Sequence, residues 1–377
     1  SQPEYWRDVE RFVGASPSTL RLILPEAFLG TEEEERFLAS IRRTMDAYLE
    51  QGILQPLEEG FVLVERTTSH GSTRRGLVVS LDLERYDFSP GSTSLVRATE
   101  GTVMERLPVR VRIRSRASIE LPHIMVLIDD PEMTVIEPLF RTNPRKIYDF
   151  DLMMRGGSLR GYHITERPIL DSIASGLERL ADPERCRKRY GSSGDDALLY
   201  AVGDGNHSLA AAKLFWEQVR EASGADHPAR YALVELVNLH DPGLTFEPIH
   251  RYLANVKPPL VLDAMSDFFT RHGCRVSFTD GPGAKPSTAP SGNAHVIGYR
   301  SGDDRGSIVI EDAPWTLEVG SIQAFLDDFC DATPDARTDY IHGTDTLEGL
   351  ASSWGSMGFF LPVISKNRLF ETIVREG

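Results

Sequence analysis

The alternation of apolar and polar positions divides the chain into helix-like and strand-like stretches. Near the N-terminus, "PEYWRDVERFVG" places Tyr5, Val9 and Val13 at helical spacing and ends on Gly14, a helix stop. "TEEEERFLASIRRTMDAYLEQG" carries a longer stripe of Phe37, Ile41, Met45 and Leu49, closed by Gly52. Thr31 and Glu34 have capping-box spacing, and the acids of the first turn suit the positive end of a helix dipole. Residues 60–140 read as strands. "FVLVERTT" and "RRGLVVSLDL" are rich in β-branched side chains. "RVRIRS" alternates, with Val111 and Ile113 on one face and Arg110, Arg112 and Arg114 on the other. "HIMVLIDDPE" is a continuous apolar run suited to a central strand buried on both faces.

Farther along, "MMRGGSLRGYHI" reads as a glycine-rich connection and "PILDSIASGLERLAD" as a helix. "RYALVELVNLHD" is a second buried strand, and "PPLVLDAMSDFFTRHG" a helix. "AHVIGYR", "GSIVIED" and "WTLEV" read as a small meander, preceded by a flexible Gly/Pro/Ser loop at 280–293. There is no regular βαβ alternation. The expected class is therefore α+β (mixed α/β), a central mixed sheet flanked by helices. A chain of 377 residues, 41% hydrophobic, is long enough for two parts. We expect a core over 1–255 and a smaller α+β portion over 256–377.

The formal net charge of −15 argues against nucleic acid as a partner, because phosphate contacts need a basic surface. No apolar run approaches the roughly 20 residues of a membrane span, and no signal peptide is visible. Cys186, Cys274 and Cys330 are far apart, without zinc or disulfide spacing, and suit reduced thiols. These features fit a cytoplasmic protein that handles a small molecule, and a homodimer is compatible with them. The chain starts at Ser1 without a methionine, so natural N-terminal residues are expected to precede it.

"YAVGDGNHSLAAAK", residues 200–213, is the segment richest in chemistry. A strand runs into a helix through Gly203, Asp204, Gly205, Asn206, His207 and Ser208. Such a turn exposes unpaired backbone N–H groups at the positive end of the helix dipole, which is an anion site. Gly205 admits a ligand close to the backbone, and Ser208 or Asn206 can cap the helix. His207 can donate to a phosphate oxygen or take a proton. The charge of Asp204 repels phosphate, so it suits a Mg²⁺ ligand or a base toward a hydroxyl. By pattern alone an ordinary tight turn explains the segment equally well. No Walker A loop or dinucleotide fingerprint is present.

"VGDGNHSLAAAK" resembles the DGxHR-type motif of the ParB/sulfiredoxin-like superfamily. More closely, the chain resembles the domain of unknown function 1015 family over nearly its whole length. The resemblance is carried by "PEYWRDVERFVGASPSTLRLILPEAFL", "VRATEGTVMERLPVRVRIRSRASIELPHIMVLIDDPE", "YDFDLMMRGGSLRGYHI" and "HPARYALVELVNLHDPGLTFEPIHR" as well. It implies a ParB/sulfiredoxin-like core in which Gly203–Ser208 holds the phosphates of a nucleotide or polyphosphate. It also implies kinase-like chemistry on a hydroxyl metabolite such as free serine, with Mg²⁺ and ATP, ADP or another phosphate donor. The alternative is a nucleotide-sensing protein without turnover. Ser208 stands where the motif has arginine, so another cation must supply that contact. An upstream segment and a "KSFSMGEA"-like tail expected of the family are also absent from the sequence.

"LVRATEGTVMERLPVR" supplies candidates. Arg97 can replace the motif arginine, Thr99 can add a phosphate contact, and Glu100 can act as base or metal ligand. "NLHDPGLTFEPIHR" offers His250 and Arg251 toward a phosphate or a substrate carboxylate. For His240 in the same stretch, and for Asp129 and Asp130 at the end of "HIMVLIDD", a structural role is the simpler expectation.

Overall fold

The computed structural model describes residues 3–89, 91–99, 101–121, 123–191, 197–281, 294–363 and 366–376. The chain divides into two compact units, residues 1–244 with 373–377, and residues 245–372. In chain order the first unit contains α1 (Pro3–Val13), α2 (Glu34–Glu50), β1 (Phe61–Thr67), β2 (Thr73–Asp82), β3 (Tyr86–Asp87), β4 (Val96–Ala98) and α3 (Leu107–Arg114). It continues with β5 (Ile124–Ile128), β6 (Arg145–Asp151), β7 (Ser158–Ile164), α4 (Arg167–Leu180), α5 (Pro183–Tyr190), β8 (Tyr200–Asp204), α6 (Asn206–Ser223) and β9 (Tyr231–Asn238).

Its sheet has nine strands in the order β3-β4-β8-β5-β9-β2-β1-β7-β6. β5 is an interior strand, antiparallel to β8 and parallel to the central β9. Ile124, Val126, Leu127 and Ile128 are all buried, as expected for a strand covered on both faces. α6 packs its apolar side, Leu209, Ala212 and Trp216, into the same core as Val202 and Val126. Cys186, Cys274 and Cys330 are free thiols. Among the described residues no helix is long and apolar enough to cross a membrane.

Three expected elements differ. "RVRIRS" lies in and just after α3 rather than in a strand. Pro108 sits in the first turn, where its fixed φ suits a helix, and Leu107 and Val111 pack on Ala210 and Ala211 of α6. Six residues of alternation are too few to outweigh that burial. "MMRGGSLRGYHI" holds β7, which pairs with both β1 and β6. The glycine there serves packing, because the Tyr148 ring occupies the space where a Cβ of Gly161 would stand. "WTLEV" is not a strand, since Glu318 opens a helix.

The second unit contains β10 (Ile249–Ala254), α7 (Pro258–Arg271), β11 (Arg275–Asp280), β12 (His295–Ser301), β13 (Asp304–Glu311), α8 (Glu318–Ala332), β14 (Arg337–His342), α9 (Thr344–Leu350), β15 (Ser356–Phe360) and most of α10 (Lys366–Glu376). Its six strands are ordered β11-β13-β12-β15-β10-β14. Residues 249–254 go with this unit because β10 pairs with β14 and β15, so the division falls at Leu244 rather than at 255. Most of the loop expected at 280–293, residues 282–293, lies outside the described residues.

Candidate functional site

The apolar half of β8, Ala201 and Val202, is fully buried, while Gly203 and Asp204 emerge exposed at its end. Gly205 turns the chain into α6 with φ +86°, a left-handed conformation that disfavours a side chain. A Cβ on Gly205 would also stand 3.2 Å from Cα of Ile124, and one on Gly203 would meet Leu127 at 2.8 Å. Both glycines are therefore required by close packing on β5. Gly205 is itself the N-cap and offers no side chain, which corrects the expectation that Ser208 or Asn206 caps the helix. Those two residues sit inside the first turn. The N–H of Gly205 donates to Oδ1 of Asp204 at 2.8 Å, and the residue is exposed. Asn206 is only 2% exposed, and its Oδ1 has no hydrogen-bond partner. Such a group is a rarity in a folded core.

The segment after β4 lies against this turn. β4 runs parallel to β8, with Arg97 opposite Ala201 and Ala98 opposite Val202. Thr99 Oγ1 donates to the carbonyl of Val202 at 2.7 Å, joining positions 103 residues apart. The backbone N–H of Val103 donates to Nε2 of His207 at 3.1 Å. In this contact Nε2 is the acceptor. Thr102 Oγ1 is a second buried oxygen without a partner. Arg97 is buried and donates from Nε to the carbonyl of Ser94 at 2.9 Å. Glu100 lies outside the described residues. The fold thus gathers Arg97, Thr99, Gly203, Asp204, Gly205, Asn206, His207 and Ser208 at neighbouring ends of β4 and β8.

His250 and Arg251 belong to the second unit. Nδ1 of His250 accepts from the N–H of Leu361 at 3.1 Å, and Nε2 meets Thr344 Oγ1 at 3.2 Å. Arg251 donates to Gln323 and to the carbonyl of Ile249, and its guanidinium lies 4.3 Å from the centre of the Tyr340 ring. Both side chains are thus bound into the packing of their own unit.

A second polar cluster occupies the other end of β5. Asp129 is buried and accepts from Arg189 Nε at 2.5 Å, Arg189 Nη2 at 2.9 Å, the Tyr190 hydroxyl, and His240 Nε2 at 2.6 Å. Burial pushes this carboxyl up, but the hydrogen bonds from Arg189, Tyr190 and His240 and the guanidinium charge outweigh it and hold it below the ordinary value. Asn238 donates to the carbonyl of Asp130 and to Glu137 Oε1, both at 2.8 Å. Burial raises the Glu137 carboxyl, and its Oε2 has no partner. The sequence signal was the pair of acids closing a buried run. Nothing local tied them to Arg189 and Tyr190 on α5.

Among the described residues no group of three or more His, Cys, Asp or Glu is placed to hold a metal ion. No curated protein matches the chain. A conserved hypothetical protein from Pyrococcus furiosus of known structure is similar at 10% identity and a TM-score of 0.37, over 80% of this chain and 85% of that one. The family model described as "Protein of unknown function (DUF1015)" matches residues 2–328, and the chain belongs to that family.

Proposed function

We propose that the Gly203–Ser208 turn binds the phosphates of a nucleotide or polyphosphate. In this reading the protein is a Mg²⁺-dependent phosphotransferase acting on a hydroxyl metabolite such as free serine. The observation that carries the reading is Asn206, buried at the N-terminus of an 18-residue helix with its Oδ1 unpartnered. An unmet buried acceptor costs about 1–3 kcal/mol, and a substrate hydroxyl donating to it removes that cost. The dipole and first-turn N–H groups of α6 attract the phosphates. Asp204 and Glu100 are the candidate bases or metal ligands, His207 and Thr99 the phosphate contacts, and Arg97 the cation that replaces the motif arginine. When bound, Mg²⁺ supplies charge neutralisation on phosphate oxygens. Asp204 Oδ2 fits that ion as one carboxylate ligand, since Mg²⁺ takes most of its six oxygens from water and substrate phosphates. The protein works in the cytoplasm on small molecules, without nucleic acid, and homodimerisation is compatible with this role.

The second reading, nucleotide sensing without turnover, is favoured by two contacts. The Asp204 carboxylate is turned onto Gly205 N–H, and His207 Nε2 is occupied by Val103 N–H. Millimolar ATP, ADP and pyrophosphate with Mg²⁺ test both readings. Thermal stabilisation supports phosphate binding, and phosphorylation of any member of a hydroxyl-metabolite panel supports turnover. With neither, both readings fail. D204N separates them: it abolishes turnover in a kinase, whereas in a sensor ligand binding persists or tightens.

A further inference from the structure

The cluster at the far end of β5 supports a second activity, independent of the phosphate turn. β5 and β9 are parallel neighbours, and Asp129 and His240 follow their C-terminal ends. The C-terminal ends of parallel strands are where open α/β sheets bind ligands. Gly205 packs on Ile124 at the start of β5, and Asp129 follows Ile128 at its end. At about 3.3 Å per residue the two places are roughly 15 Å apart along the strand.

An ionised Asp129 requires the hydrogen atom of its 2.6 Å contact with His240 to come from Nε2. Nδ1 then carries the lone pair, and it has no partner among the described residues. The side chain of His240 is 16% exposed, against 4% for Asp129. A buried carboxylate orienting a part-exposed imidazole is the arrangement of a general base. Two guanidinium groups stand beside Asp129. Arg189 is 32% exposed, and Arg185 Nη2 donates to the carbonyl of Asp129 at 3.2 Å. Arg185 also lines a groove of about 490 Å³ with Ser175, Glu178, Arg179 and Asp182. Asp130 accepts from the N–H groups of Thr134 and Val135, and Asp241 from those of Arg75 and Gly243. Their charges make the surroundings unfavourable to a polyanion and favour a neutral substrate.

We propose that Asp129 and His240 form a second catalytic centre, a general base that activates water against the acyl carbon of a small neutral ester. His240 Nδ1 takes a proton from water as the water oxygen bonds to the acyl carbon. The carbonyl π pair moves onto its oxygen, facing the guanidinium of Arg185 or Arg189. On collapse the ester C–O bond breaks, and the imidazolium returns its proton to the leaving alkoxide. Ester and water become acid and alcohol, and His240 is regenerated. Asp129 does not touch the substrate and acts as a positioning residue.

The test is hydrolysis of p-nitrophenyl acetate by the full chain. H70Q controls for the background reactivity of an exposed imidazole. Saturable hydrolysis is expected. H240Q should lower kcat/KM at least about tenfold, and H70Q should leave it unchanged. The ¹⁵N spectrum of wild-type His240 should show the Nε2–H tautomer. Should H240Q not fold, diethyl pyrocarbonate decides: modification of His240 abolishes hydrolysis if the proposal holds. A rate that survives H240Q or His240 modification, absence of hydrolysis above the protein-free rate, or an Nδ1–H tautomer overturns it. Each of these leaves Asp129 and His240 as a structural clasp for α5.

Discussion

Val103 donates its backbone N–H to Nε2 of His207 across 3.1 Å, so the segment after β4 is latched to the first turn of α6 by the imidazole. The latch sits in an exposed setting, where water replaces a lost partner. H207A should therefore lower stability by no more than about 1 kcal/mol. Its clearer effect is local. Amide hydrogen exchange at Val103 should quicken, with core amides of β5 unchanged.

Gly205 should tolerate no side chain. Its φ of +86° strains any L-residue, and a Cβ would stand 3.2 Å from Cα of Ile124. G205A should destabilise the chain by about 1–3 kcal/mol in urea unfolding and weaken the pyrophosphate binding proposed for the turn. Unchanged stability would mean that the backbone there is not left-handed.

D129N should be far more costly. It removes the carboxylate that meets Arg189, Tyr190 and His240 and leaves a guanidinium without its partner. Losing one member of a buried pair costs about 3–5 kcal/mol, and the partial exposure of Arg189 places the loss at the lower end. The same variant should change the acid limb of the stability curve. Asp129 is held below the ordinary carboxylate value, so the unfolded chain takes up the proton first. Its contribution is present above about pH 4 and is lost as pH falls through the lower folded value. The limb should flatten in D129N.

His250 makes the 245–372 unit sensitive at milder pH. Burial, followed by the charges of Arg251 and His342, pushes its imidazole below the usual 6.5. The unfolded chain therefore protonates first. The contribution is intact above 6.5 and declines as pH falls toward the lower folded value. The protection of β10 amides, measured against their intrinsic exchange rates, should fall between pH 7 and pH 5 in the wild type, and much less in H250N.

The elements that build the Gly203–Ser208 turn were legible locally. "ALLYAV", "SLAAAKLFWEQV" and "HIMVLID" are long enough, and apolar enough on the right faces, to declare β8, α6 and β5 from their own residues. "RVRIRS" was misleading because period-two alternation over six residues is also what a short helix shows when Pro108 starts it and Leu107 and Val111 are buried on α6. β7 was hidden in part by Gly161, whose reason, the ring of Tyr148, comes from the neighbouring strand β6.

By itself, the sequence determined the α+β class, the strand–turn–helix around Gly203–Ser208 and the family, all of which follow from contiguous residues. The tertiary structure decided which distant residues share a site. Thr99 bonds to Val202, and Arg97 lies opposite Ala201, only because β4 lies parallel to β8, and Asp129 meets Arg189, Tyr190 and His240 only because β5 lies beside β9 and α5 brings its last turn to the end of β5. Strand neighbours are chosen by burial of whole faces across the sheet, a collective quantity that no single stretch of chain contains.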